Sequence, residues 1–148
     1  MAEGLYIIDG TAFAYRSFFA IRQLTDSKGR PTNAVFGFAR ILIKILREQN
    51  PSHIVMAFDA PGKTFRHESF AEYKATRQET PAELIAQLPL IDQVVEAFNI
   101  PVLRVSGVEA DDVMGTLAVR AVEAGMKAVI VTGDKDALQL VSDSVRVF

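Results

Sequence analysis

The sequence contains no cysteine. Disulfides and thiolate-bound metals are therefore excluded, and the absence is compatible with a reducing cytosol. Histidine is almost as scarce, with only His53 and His67. Neither belongs to the acidic motifs described below, which argues against zinc, and both read as structural or solvent-facing side chains. There is no P-loop and no GxGxxG, so a bound nucleotide cofactor lacks support. No apolar run approaches the roughly 20 residues that span a bilayer. The opening "MAEGLYIIDG" has no basic leader and only a short apolar run, so neither a membrane partner nor a signal peptide is expected. Internal repeats and low-complexity tracts are also lacking.

What is present suits one ordered domain. The chain has 148 residues, 49% hydrophobic and 23% charged, enough for a sizeable core. The net charge is −2. Seven carboxylates lie in motifs: Asp9, Asp59, Glu109, Asp111, Asp112, Asp134 and Asp136. Setting them aside leaves 11 acids against 16 basic residues, a body of +5. A basic body around an acidic focus suits a metal site that handles phosphate. Ordinary scatter of surface charge explains the same balance equally well.

Strand and helix patterns alternate along the chain. Short apolar runs at 5–9, 53–59, 101–105, 127–134 and 145–148 read as five strands. Residues 34–48 carry apolar side chains at a helical period. Residues 80–98 open with Thr80, Pro81 and Glu83, the pattern of an N-cap, a first-turn proline and a capping-box acid. Pro89 lies inside that pattern and is expected to kink or divide the helix. The helix after Gly107 is expected to run to about Ala124 and stop at Gly125. Near-continuous apolar strands between helices indicate an α/β fold, with a parallel sheet covered on both faces. Residues 60–79 are too long for an ordinary connection. The abrupt stop after the fifth strand suggests a fragment or a minimal domain.

In open parallel sheets, ligands sit beyond the carboxyl ends of the strands. Asp9, Asp59 and Asp134 follow the first, second and fourth strands. Glu109, Asp111 and Asp112 follow the third, where a helix begins. One such acid is usually a helix cap. Four segments delivering acids to one edge create repulsion that helix termini, at about 0.3–1 kcal/mol each, offset poorly. Divalent cations with hard oxygen ligands, Mg²⁺ or Mn²⁺, offset it better. Glu109 and Asp112 share a helix face while Asp111 is turned by about 100°, so some of these acids would hold metal-bound water instead of the ion. A turn and N-cap for "DALQLV" accounts for Asp134 or Asp136 as well.

Acidic Mg²⁺ clusters at sheet edges serve phosphoryl transfer. Segment 60–79 fits that chemistry, with Lys63, Arg66, Lys74 and Arg77 interleaved among Phe65, Phe70 and Tyr73. Cations grip phosphates and aromatic rings stack on unpaired bases. Glu68, Glu72 and Glu79 support the plainer reading, a surface helix that pairs its own charges.

The stretches "IIDGTAFAYRSFFAI", "AVFGFARIL", "FDAPGKTFRHESFAEYKATR", "VSGVEADDVMGTLA" and "VTGDKDALQLVSD" resemble the 5′-nuclease domain of bacterial DNA polymerase I. That is the flap-endonuclease family, and the likeness covers nearly the whole chain with its motifs in family order. The resemblance implies a three-layer, PIN-like (Rossmann-like) domain over 1–148, with a mainly parallel five-stranded sheet and a basic helical arch at about 60–80. It implies a structure-specific 5′–3′ exonuclease and flap endonuclease, active in primer removal and repair. The cofactor would be Mg²⁺ or Mn²⁺, two ions in the full site. All seven motif acids match metal-cluster positions, with Asp9, Asp59, Asp111, Asp134, Lys74 and Arg77 carrying catalysis. DNA contacts would come from Arg16, Lys63, Arg66, Tyr73, Lys74 and Arg77. The implied partners are DNA with 5′ flaps or 5′ ends, and the rest of the nuclease or a polymerase domain. The implied location is the cytoplasm, at the nucleoid. The family's nuclease region continues through a second half, with a helix-hairpin-helix element and further aspartates, which this sequence does not contain. Weak or no cleavage by the chain alone is therefore expected. A non-catalytic flap- or single-strand-binding remnant and a PIN-type ribonuclease are the alternatives.

Overall fold

The computed structural model describes residues 4–60 and 80–148. Five strands form one sheet: β1 (Gly4–Asp9), β2 (His53–Ala57), β3 (Val102–Leu103), β4 (Lys127–Val131) and β5 (Val145–Val147). Their order is β3-β2-β1-β4-β5, and every pairing is parallel. The chain steps outward from β1 to β3, then crosses back to lay β4 on the other side of β1. That reversal makes a switch point between β1 and β4, where open α/β sheets form their ligand crevice. The register aligns the strand ends: Asp9 is level with Ala57, and Ile8 is level with both Met56 and Val131.

Among the described residues, four helices, α1 (Gly10–Ala20), α2 (Asn33–Gln49), α3 (Ala82–Ala97) and α4 (Ala110–Glu123), and a 3₁₀ helix (Lys135–Leu140) cover the sheet. The alternating side chains of β1 serve both layers. Ile8 packs with Phe38, Leu42, Leu84 and Ile91 beneath α1, α2 and α3. Ile7 packs with Val113, Met114 and Ala118 beneath α4. No described helix is long and apolar enough to cross a membrane.

Several sequence expectations need correction. Pro89 does not divide its helix, because α3 runs through it from Ala82 to Ala97. A proline in a helix costs ~3 kcal/mol. Leu84, Ile91 and Val95 are fully buried on either side, each contributing roughly 1.5–3 kcal/mol. The summed burial wins. Thr80 is not the cap of α3; Pro81 holds that position, and the Thr80 hydroxyl instead meets Tyr15 Oη at 2.5 Å. β3 is only two residues long, and β4 stops at Val131, before Asp134. Gly125 does end α4, with φ +83° just past the Ala124 cap.

One buried polar residue ties three helices together. Gln87 of α3 is fully buried. Its Oε1 accepts from the backbone N–H groups of Ala34 (2.8 Å) and Val35 (3.1 Å), capping α2 from outside. Its Nε2 donates to Asn33 Oδ1 at 2.8 Å. Asn33 Nδ2 in turn donates to the carbonyls of Phe18 and Ile21 at the end of α1. Helix-terminal groups that water would otherwise satisfy are thus paired internally.

Candidate metal-binding site

At the switch point lies a cavity of about 210 Å³, lined by Asp9, Asp59, Glu109, Asp111 and Asp134 together with Thr11, Ala12, Tyr15 and Ala110. The carboxylates come from β1, the β2 exit, the start of α4 and the β4 exit. Asp9 is buried. Its Oδ1 accepts from the Ala12 N–H at 3.1 Å, and its Oδ2 accepts from the Thr132 hydroxyl at 2.6 Å. Burial pushes its carboxyl up, those two bonds oppose the shift, and the nearby charges of Asp59 and Asp134 reinforce it. Asp59 Oδ1 accepts from the Ala110 N–H at 2.7 Å, which docks the first residue of α4 onto the β2 exit. Its own N–H donates to Thr11 Oγ1 at 2.8 Å. Asp134 Oδ1 accepts from the Asp136 N–H at 2.9 Å and so caps the 3₁₀ helix.

Asp111 differs from these three. Among the described residues, nothing donates a hydrogen bond to its carboxylate. Burial, then the negative charges of Asp9, Asp134, Glu109 and Asp59, push its pKa up to about 6. It stands in the first turn of α4, where a negative charge is favoured by only about 0.3–1 kcal/mol. The raised pKa shows that burial and repulsion together exceed that benefit.

Asp112 and Asp136 do not line this cavity. They border an adjoining groove of about 1040 Å³ between α4 and the 3₁₀ helix, with Glu109 and Asp111 shared by both spaces. Asp112 Oδ2 accepts from the Glu109 N–H at 3.1 Å, the reaching-back half of a capping box. Among the described residues, no three carboxylates approach closely enough to ring one ion directly. The donors are nonetheless all hard oxygens, which suit Mg²⁺ or Mn²⁺. The cavity volume is several times the ~30 Å³ share of a liquid water, so a cation fits with part of its hydration shell.

Arg16 is exposed on α1 near this edge, and a Cβ placed on Gly133 would lie 3.6 Å from its Nη1. Lys63, Arg66, Tyr73, Lys74 and Arg77, with the expected arch, lie outside the described residues. Sequence reasoning missed Thr11 and Thr132, the hydroxyls that hold Asp59 and Asp9. Their signal was adjacency: each lies two residues from a strand-end acid. It also missed Gly10. A Cβ there would stand 2.6 Å from the Phe58 ring, so only glycine lets Phe58 bring Asp59 this close to the start of α1.

The model of the 5′-3′ exonuclease N-terminal, resolvase-like domain matches residues 4–148. The chain belongs to that family. It is 54% identical over 145 residues to DNA polymerase I of Chloroflexus aurantiacus, covering 97% of the chain and 15% of the polymerase. It is 46% identical over 143 residues to the 5′-3′ exonuclease of Aquifex aeolicus, covering 97% of the chain and 50% of that protein. The chain therefore spans half of one curated relative and a much smaller share of the polymerases. Among solved structures, the T5 D15 protein co-crystallised with metal ions superposes with a TM-score of 0.76 at 20% identity, over 99% of this chain and 55% of that one. At that identity the likeness establishes the fold, which is the PIN-like α/β architecture of 5′ nucleases.

Proposed function

We propose that this exonuclease-family domain is the acidic core of a divalent-metal-dependent 5′ nuclease that hydrolyses phosphodiester bonds in DNA bearing 5′ ends or flaps. The observation carrying this reading is the convergence of five carboxylates from four chain segments on one cavity at the switch point. Relatives support it. The Aquifex aeolicus relative is a 5′-3′ exonuclease. The T5 5′-exonuclease has been crystallised with zinc, and a T5 D15 flap endonuclease variant with DNA and metal ions.

Asp9, Asp59, Glu109, Asp111 and Asp134 would hold the cation, with Asp112 and Asp136 reaching it from the adjoining groove. A bound divalent ion would supply charge neutralisation at the phosphate and an activated water. The chain's own residues do the positioning. Thr132 and Ala12 fix both oxygens of Asp9, so that it enters the cavity in one orientation. Asp59 fixes α4 through Ala110 and thereby sets where Asp111 stands. Asp111 is the carboxylate with most to gain from a cation, since no described group donates to it and its neighbours repel its charge. Lys74 and Arg77 are assigned to the scissile phosphate, and Lys63, Arg66 and Tyr73 to the strand, on the family resemblance of "YKATR" and its flanks. DNA is favoured over RNA because the relatives are parts of DNA polymerases.

The test is Mg²⁺- or Mn²⁺-dependent cleavage of a labelled 5′-flap substrate, run beside Asp111→Asn. Equal, measurable product from both proteins would remove the assigned site. A second reading, flap binding without cleavage, is favoured by the spacing of the carboxylates, none of which group in threes around one point among the described residues. Tight flap binding in Ca²⁺ with no product in Mg²⁺ or Mn²⁺ would select it.

A further inference from the structure

Phe58 stands between β2 and the acidic cavity, and the β2 ladder has already ended at Ala57. Its N–H donates to the Leu103 carbonyl at 3.1 Å, and Asp59 follows it directly. Past Ala57, side chains take over from strand pairing. The Phe58 ring is buried. It lies against the Gly10 backbone, where an added Cβ would stand 2.6 Å away. It stacks near-parallel with Phe38, the centroids 6.2 Å apart. The Arg104 guanidinium lies over it, 4.6 Å from the centroid. Arg104 is the residue just after β3, and its Nη2 is ion-paired with Asp92 of α3. Gly10 and Phe38 give the ring a surface to rest on, and the cation adds a directional attraction to its π face. Asp59 in turn accepts from the Ala110 N–H at 2.7 Å, so the position of the ring reaches the start of α4 and Asp111.

We propose that Arg104 is a positioning residue for the acidic cavity. Anchored by Asp92, its guanidinium holds the Phe58 ring against Gly10 and so fixes Asp59 and the first turn of α4. Arg104 does not itself line the cavity. Its charge alone would act the other way, since a cation nearby repels a second cation. The two effects therefore have opposite signs when methionine, with a similar apolar stem and no charge, replaces the arginine. The part played by a bound cation rests on the nuclease reading. The placing of Asp59 does not.

Two measurements test this on the wild-type chain, Arg104→Met, Asp92→Asn, the double variant and, as a control, Arg47→Met. Arg47 is exposed in the last turn of α2. The first is amide hydrogen exchange in EDTA. It is followed at Ala110, whose N–H reports the bond to Asp59, and at Met114, inside the same helix. Arg104→Met should speed exchange at Ala110 about three- to fivefold, the worth of a partly exposed cation–π contact, and leave Met114 unchanged. The second is Mn²⁺ binding by calorimetry. Arg104→Met should weaken it about fivefold, short of the roughly tenfold loss typical of a group that touches a metal ligand directly. Asp92→Asn should shift both readings the same way by less. The double variant should match Arg104→Met, because both substitutions act through one guanidinium. Arg47→Met should change neither reading. The proposal is overturned if Ala110 keeps its wild-type exchange rate in Arg104→Met, or if Met114 loosens equally. It is also overturned if a chain that takes up Mn²⁺ holds it as tightly, or more tightly, with methionine at this position. If the wild-type chain takes up no Mn²⁺ while Ala110 alone loosens in Arg104→Met, the metal-dependent nuclease reading falls and the placing of Asp59 by Arg104 stands.

Discussion

Replacing Asp111 with asparagine should strengthen the fold and weaken the site. The carboxyl of Asp111 has its pKa raised from 3.8 to about 6 by burial and by four neighbouring acids. Such a shift corresponds to ~3 kcal/mol between the two protonation states. Asp111 is only partly buried, and solvent screening reduces the usable figure to about 1–1.5 kcal/mol. Between pH 3.8 and about 6 the folded chain binds more protons at this position than the unfolded chain. Stability therefore falls as pH rises through that window, and the full cost is present above it. At pH 7.5 in EDTA, Asp111→Asn should melt roughly 3–5 °C above wild type. The gap should narrow as the pH is lowered through 6 toward 4 and vanish only below 3.8, where Asp111 is neutral in both states. Mn²⁺ should reverse the order. A hundredfold excess over Kd stabilises a binding-competent chain by about 2.7 kcal/mol, and the asparagine variant, lacking the ligand, gains less. Urea denaturation at several pH values, with and without Mn²⁺, measures all of this. An asparagine variant no more stable than wild type in EDTA would refute the electrostatic argument. An equal response of both proteins to Mn²⁺ would refute the assignment of Asp111 to the cation.

Three further outcomes follow from the same contacts. Thr132→Val removes the 2.6 Å donor to Asp9, so the acid limb of Mn²⁺-dependent cleavage should move to higher pH, and stability should fall by about 1.5–3 kcal/mol; an unmoved pH profile would show that the bond does not tune Asp9. Gly10→Ala forces a Cβ against the Phe58 ring and should cost about 1–3 kcal/mol in urea denaturation despite the better helix propensity of alanine. Gln87→Leu strands the N–H groups of Ala34 and Val35 and should cost on the order of 2–4 kcal/mol, visible as accelerated hydrogen exchange at the start of α2.

Apolar periodicity made the layers readable in advance. It marked β1, β2, α2 and α4 to within a residue or two because their burial follows the period of the element. It misplaced features decided by tertiary partners. Proline chemistry foretold a kink or a division at Pro89, and the helix is not divided: the packing of Leu84 and Ile91 on either side keeps it continuous. Capping rules nominated Thr80, yet its hydroxyl finds Tyr15, a residue 65 positions away. Gln87 gave no signal, since a lone glutamine in an amphipathic pattern looks like surface until its partners on α2 are known. The strand-end position of the acids was legible. Their division between two adjoining spaces was not, because it depends on how α4 and the 3₁₀ helix sit side by side.

The acids also show why the capping and metal readings were never true rivals. Asp9 caps α1, Asp59 receives the first N–H of α4, Asp112 closes back on Glu109, and Asp134 caps the 3₁₀ helix. Each bond ties a carboxylate to a helix start, and the parallel topology gathers all of those starts at one edge. The helix N-termini thus hold in place a concentration of negative charge that no single terminus could stabilise. Asp111 receives no such bond from a described residue, and its raised pKa registers the excess. On the proposed metal-binding reading, Asp111, the acid with no donor among the described residues, is the carboxylate that a cation would relieve most. The same geometry makes the uncapped residue the most informative one to neutralise.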